Sequence, residues 1–209
     1  AAHQLFVYTH LAAWKLLYAA SRVVADRAPE RIEPGPPLSI VQELATFLSP
    51  ASCVVPRDGG RGALFVGSAK NAADWGFIQE NSISAVVNVT EEVPNFYEAD
   101  IEYHGFEVRD DAESRLGLDD LTSAAAFVEE RLAAGRSVLL HCFMGRSRSV
   151  AVACAHQMLH LDAPSLDYAY AAVRRGRSCA NMNARFVSTL LEIERGLGAA
   201  ESLTSDDEG

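Results

Sequence analysis

The sequence predicts an α/β protein with a central, mainly parallel sheet flanked by helices and an N-terminal helical extension. Two observations predict it. From about Ala63 onward, short apolar runs alternate with stretches of helical periodicity, the pattern of strands separated by helices. With 209 residues, 49% hydrophobic and 22% charged, the chain has enough apolar mass for one core and some additional length. Its 14 glycines and 8 prolines are too few for a collagen-like or low-complexity chain.

In chain order, the stretch from Leu5 to Val24 comes first. Leu5, Tyr8, Leu11, Ala12, Lys15, Leu16 and Ala19 step by three or four, which predicts an amphipathic helix. It is read as packing on the domain behind it, or else docking on a partner or a membrane surface. His10, Lys15 and Arg22 make it a poor membrane span, since a central charge costs at least ~2.5 kcal/mol on insertion. The run from Arg27 to Pro37, rich in proline and charge, reads as a connector. A second short helix is expected over Leu38 to Leu48, broken at Ser49-Pro50, followed by a turn-rich segment over 51–62.

The compact domain then begins with a strand at Ala63 to Val66, a helix at Asn71 to Glu80 and a β-branched strand at Ser84 to Val89. Ile101 to Tyr103 and Phe106 to Val108 read as strand segments split by Gly105. A helix is expected from Asp120 to Ala134, capped by Asp119 and stopped by Gly135. The apolar strand Ser137 to His141 precedes a loop and a helix over Ser147 to His160. Helices at Ser165 to Arg175 and Asn183 to Arg195 complete the domain. The division is thus an extension over 1–60, a compact domain over 61–196 and an acidic, disordered tail over 197–209.

Charge and cysteine usage narrow the function classes. A net charge of −10 is a poor match to nucleic acid, which needs a basic face, and gives no reason to expect a membrane partner. Four irregularly spaced cysteines, with no CxxC pair, resemble neither a secreted disulfide framework nor a zinc site. The expectation is a reducing compartment, the cytoplasm with the nucleus as alternative, and no metal or cofactor.

The stretch that carries chemistry is HCFMGRSRS, from His141 to Ser149. An apolar strand ends at His141, a loop with one glycine follows, and a helix begins. Ligands of open α/β sheets sit at the carboxyl ends of strands. Backbone N–H groups of a tight loop entering a helix converge on an anion, and Arg148 can add a bidentate fork. In such a field Cys142 is expected as a thiolate, because loop amides, a helix N-terminus and guanidiniums lower a cysteine pKa to ~3.5–7.5.

This stretch resembles the signature of the cysteine-dependent protein phosphatases: His-Cys, five residues, Arg, then Ser or Thr. Its Arg-Ser-Arg-Ser ending is similar to the dual-specificity branch. Two further blocks resemble that family in order: GSAKNAADWGFIQENSISAVVNVTEEVPNFY, and RRGRSCANMNARF with Arg177, Asn183 and Phe186 in register. In the last block Ser178, Met182 and Arg185 stand where the family has proline, proline and glycine. The resemblance covers about residues 63 to 195 and is reminiscent of plant and algal MAP-kinase-phosphatase-like members.

The resemblance implies a dual-specificity phosphatase fold, and roles for individual residues. Cys142 is the nucleophile that forms a phosphocysteine. Arg148, with the loop amides of Phe143, Met144, Gly145, Arg146 and Ser147, holds the equatorial oxygens. Ser149 donates a hydrogen bond to the leaving sulfur, and His141 supports the loop by hydrogen bonding. Arg146 either orients the loop or meets a second substrate phosphate. The general acid is Asp110 by the family's Val-x-Asp register, with Asp111 as alternative. Cys53, Cys154 and Cys179 read as ordinary residues or as resolving partners for Cys142. A phosphoprotein is the expected substrate, a MAP kinase among the candidates. The alternatives are a non-catalytic phosphoprotein-binding module and a phosphatase of a non-protein ester.

Overall fold

A computed structural model describes residue 32, residues 38–105 and residues 116–205. The expected helix at Leu5 to Val24, most of the proline-rich connector, the strand segment Phe106 to Val108, and Asp110 and Asp111 lie outside the described residues.

Five strands form one sheet in the order β1-β2-β5-β3-β4. They are β1 (Ser52–Val55), β2 (Leu64–Gly67), β3 (Ile83–Asn88), β4 (Glu102–Gly105) and β5 (Ser137–His141). β1 pairs antiparallel with β2, and the three other pairings are parallel. The expected mainly parallel sheet is therefore present. Gly105 is the last residue of β4 and pairs with Asn88; the segment Phe106 to Val108 that it was expected to set apart lies outside the described residues.

Side chains alternate across the sheet with period two. Leu64, Val66, Ala85, Val87, Val138 and Leu140 belong to the larger core, while Phe65, Val86 and Leu139 belong to the smaller one on the other face. The larger core is covered by α4 (Leu118–Ala133), α5 (Arg148–His160), α6 (Leu166–Gly176) and α7 (Ala184–Ser205). The smaller core is covered by α2 (Ala69–Ala72) and α3 (Trp75–Glu80), through Ala72 and Ile78. α5 is buried over Arg148 to Met158, as befits a helix enclosed by other elements.

Several boundaries differ from expectation. Residues 51–62, expected as turns, contain β1, because Val54 and Val55 pack on the larger core and the edge of β2 is open to pairing. The helix expected from Asn71 to Glu80 is two short ones, since Asp74 accepts the Phe77 N–H and starts a new helix. α4 begins earlier than expected. Gly117 is its N-cap and donates its N–H to Asp120 Oδ2 (2.9 Å), leaving Asp119 in the first turn near the positive helix end. α7 runs to Ser205, so the backbone of 197–205 is helical where a disordered tail was expected. Its apolar stripe of Phe186, Val187, Leu190 and Ile193 packs on the core, and that docking supports the helix beyond Arg195.

The described residues before β1 pack on the domain. Ile32 is buried in the larger core. α1 (Ile40–Leu48) starts at a capping box in which Ser39 Oγ accepts the Gln42 N–H and Gln42 Oε1 accepts the Ser39 N–H. It buries Phe47 in a third, small cluster with Ala69, Val93 and Phe143. No helix among the described residues is long and apolar enough to cross a membrane.

Candidate active site

Strand register sets the location of the site. Gly67 of β2 and Asn88 of β3 both pair with His141, the last residue of β5. Three parallel strands therefore end side by side, and the loops leaving them converge. The loop 142–147 leaves the central strand and runs into the N-terminus of α5.

Cys142 begins that loop and is 1% exposed. Its sulfur accepts two hydrogen bonds, from the Gly145 N–H (3.2 Å) and from Ser149 Oγ (3.3 Å). Gly145 has φ +65°, and a Cβ there would lie 2.4 Å from the Gly67 carbonyl carbon and oxygen. Both the left-handed backbone and the close approach of β2 require glycine. Ser147, the N-cap of α5, does not cap its own helix; its Oγ accepts the Asn183 N–H (3.0 Å). First-turn amides of α5 are then left for another acceptor.

Arg148 opens α5 and is 1% exposed. Its two terminal nitrogens hold Glu92 end-on: Nη2 to Oε1 at 2.6 Å and Nη1 to Oε2 at 3.0 Å, with the Glu92 side chain 8% exposed. Sequence reasoning missed Glu92. The available signal was its place a few residues past the end of β3, beside the end of β5 in any parallel pairing.

Phe143 and Met144 send their side chains into the small apolar cluster. The Phe143 ring lies tilted against Phe47 of α1 with centroids 5.6 Å apart, the Phe143 carbonyl accepts the Ala69 N–H (3.1 Å), and Met144 packs against the same cluster. Arg146 is buried, with its carbonyl accepting the Asn181 N–H (2.8 Å). His141 is fully buried, and burial pushes its imidazole down to about 3, so it is neutral near pH 7. Hydrogen bonding to the Cys142 backbone opposes that shift, although neither ring nitrogen has a partner at strict bonding geometry. The His141 backbone carbonyl accepts the Val89 N–H (3.0 Å) and ties the ends of β5 and β3.

The other cysteines differ in setting. Cys154 is fully buried in α5, and burial raises its thiol far above the ordinary range. Cys53 is exposed on β1, and Cys179 is half-buried. Among the described residues no group of three or more His, Cys, Asp or Glu is arranged to hold a metal ion.

Known proteins resemble this chain in sequence and fold. Residues 64–196 match the family model described as "Dual specificity phosphatase, catalytic domain". The chain is 36% identical over 142 residues to human dual specificity protein phosphatase 9, covering 66% of this chain and 36% of that protein. It is 34% identical over 135 residues to dual specificity protein phosphatase Mpk3 of Drosophila melanogaster, covering 64% of this chain and 32% of that protein. It spans about a third of the length of these curated relatives. Among solved structures, a mouse putative dual specificity phosphatase complexed with zinc tungstate superimposes with a TM-score of 0.65 at 32% identity, over 73% of this chain and 91% of that one. Human DUSP28 gives 0.64 at 30% identity, over 79% and 98%.

Proposed function

The chain belongs to the dual specificity phosphatase family, and on that premise we propose that it hydrolyses phosphotyrosine and phosphoserine or phosphothreonine in proteins through a phosphocysteine intermediate. One observation carries this reading: the Cys142 sulfur accepts hydrogen bonds from Gly145 and Ser149 at the base of a loop that leads into Arg148.

In the first step the Cys142 thiolate attacks phosphorus. An S–P bond forms, the P–O bond to the substrate side chain breaks, and the leaving oxygen takes a proton from a general acid. Asp110 is the proposed acid, by the family register alone, with Asp111 as alternative. In the second step water attacks phosphorus while the same carboxylate takes its proton. The P–S bond breaks, and the Ser149 hydroxyl donates to the departing sulfur. A guanidinium has five N–H donors, and Glu92 engages the two terminal nitrogens through one carboxylate oxygen each. The guanidinium held in this way, with the amides of the loop, suits the equatorial phosphate oxygens as charge builds.

The test is hydrolysis of a small aryl phosphate, without added metal, by reduced wild type and by Cys142→Ser. Turnover that disappears in the variant is the expected result; no turnover by freshly reduced wild type sinks the reading. Pull-down by Cys142→Ser then identifies the phosphoproteins held, with phosphorylated MAP kinases as one candidate class. All four cysteines are free, which suits a reducing compartment such as the cytoplasm.

A further inference from the structure

Arg177 follows the end of α6 and is 2% exposed. A buried guanidinium is costly unless its donors are satisfied. Here they are met by oxygen atoms of uncharged groups. Nε donates to the Gly145 carbonyl (2.6 Å), Nη2 to the Met144 carbonyl (3.3 Å), and Nη1 to the Pro50 carbonyl (2.9 Å) and Ser52 Oγ (3.5 Å). Among the described residues no carboxylate forms a salt bridge with it, in contrast to Arg148, whose charge faces Glu92.

The two loop carbonyls are the informative partners. A trans peptide is planar, so the C=O of one residue and the N–H of the next point in opposite directions. The Met144 carbonyl points to Arg177, and the Gly145 N–H of that same peptide points to the Cys142 sulfur. The Gly145 carbonyl also points to Arg177, which turns the Arg146 N–H away from the guanidinium. The Arg146 carbonyl is taken by the Asn181 N–H, which orients the following amide likewise. Consecutive peptides of the loop are thus fastened by their carbonyls to the segment 177–181, on the side opposite their N–H groups.

We propose that Arg177 is a positioning residue for the phosphate loop: it holds the Met144 and Gly145 carbonyls outward so that the following amides converge beside Cys142, and it places a second positive charge behind the anion they bind. This rests on the phosphatase reading for what the anion is, but not for the loop geometry. Lysine keeps the charge and cannot span both carbonyls, whereas methionine removes both functions.

The test uses the full chain as wild type, Arg177→Lys and Arg177→Met, with melting to establish folding. Two readouts are taken by mass spectrometry at the Cys142 peptide: the iodoacetamide alkylation rate at one fixed pH, and its protection by tungstate, an unreactive tetrahedral oxyanion. Losing hydrogen bonds from a charged donor predicts about tenfold weaker tungstate protection and slower Cys142 alkylation in Arg177→Met, with a smaller loss in Arg177→Lys. A folded variant of either kind with wild-type protection and wild-type alkylation overturns the proposal, as does a wild type that tungstate does not protect. Should Arg177→Met not fold, Arg177→Lys decides by the same two readouts. If wild type is protected by tungstate in an Arg177-dependent way yet hydrolyses no aryl phosphate, the positioning role stands and the catalytic reading falls.

Discussion

Glu92 and Arg148 meet as a buried, end-on ion pair, with oxygen–nitrogen distances of 2.6 and 3.0 Å. The pair links the loop after β3 to the first residue of α5 and holds the guanidinium in one orientation before any ligand arrives. Removing one partner of a buried pair leaves the other charge uncompensated, which costs about 3–5 kcal/mol. Glu92→Gln is therefore expected to lower the urea midpoint substantially at neutral pH and to reduce kcat/KM. A variant with wild-type stability shows that the pair is not formed in solution.

Ser149→Ala removes the hydroxyl that donates to the Cys142 sulfur at 3.3 Å. That bond matters most when sulfur leaves as a thiolate, in the second step. The expected result is a fall in kcat of about tenfold or more, the value of a hydrogen bond to a charged group. Burst kinetics should then reveal phosphoenzyme accumulating. An unchanged kcat removes Ser149 from the mechanism.

Gly145→Ala tests the loop backbone. Its φ of +65° and the 2.4 Å approach of the would-be Cβ to the Gly67 backbone leave no room for a side chain. Strain at such a position costs of the order of 1–3 kcal/mol before the steric clash is added. Turnover should be lost and the melting temperature lowered; a fully active Gly145→Ala contradicts the observed loop.

Asp110→Ala and Asp111→Ala separate the two candidate acids by their pH profiles. The variant that lacks the general acid is expected to lose about 10²- to 10⁴-fold in kcat, with a changed pH dependence on a substrate whose leaving group needs protonation. An aryl phosphate with a good leaving group should be affected less. Equal, small effects of both substitutions assign the acid to neither residue.

Stability should also depend on pH through two buried histidines. His156 lies in α5 and bonds Glu129 Oε2 (3.1 Å), which Arg61 also holds. Burial lowers His156 to about 4 even though Glu129 opposes the shift, and burial lowers His141 to about 3. Between these values and the ordinary histidine value near ~6.5 the unfolded chain binds protons that the folded chain rejects. The stabilisation is complete above ~6.5 and is lost as pH falls toward 4 and below. Urea midpoints measured from about pH 7.5 to about pH 4.5 should fall, and His156→Gln should flatten that slope. A slope indifferent to this substitution assigns acid sensitivity to other groups.

Much of this molecule was readable in one dimension, for local reasons. β-branched and apolar runs such as Ser137 to His141 specify buried strands by their own composition, and Gly135 stops α4 at φ +78° because only that residue adopts the angle without penalty. The HCFMGRSRS stretch is contiguous, so Cys142, Gly145 and Arg148 could be grouped from the strand–loop–helix pattern, with Ser149 added by the family resemblance. β1 and the N-terminus of α4 were misread. In the first case pairing to β2 outweighed turn-forming neighbours, and in the second Gly117 with Asp120 took the capping place expected of Asp119.

What the sequence determined by itself is the layered α/β class and the strand–loop–helix stretch that holds Cys142, Gly145, Arg148 and Ser149, because each is encoded by residues adjacent in the chain. Tertiary structure alone decided who surrounds that loop. Glu92 reaches Arg148 from 56 residues away, and Arg177 reaches Gly145 from 32. The physical reason is that burial makes charge and hydrogen-bond satisfaction compulsory, but any of 28 acidic residues could have met the requirement. Parallel strand register, which brings the ends of β2, β3 and β5 together, made the choice.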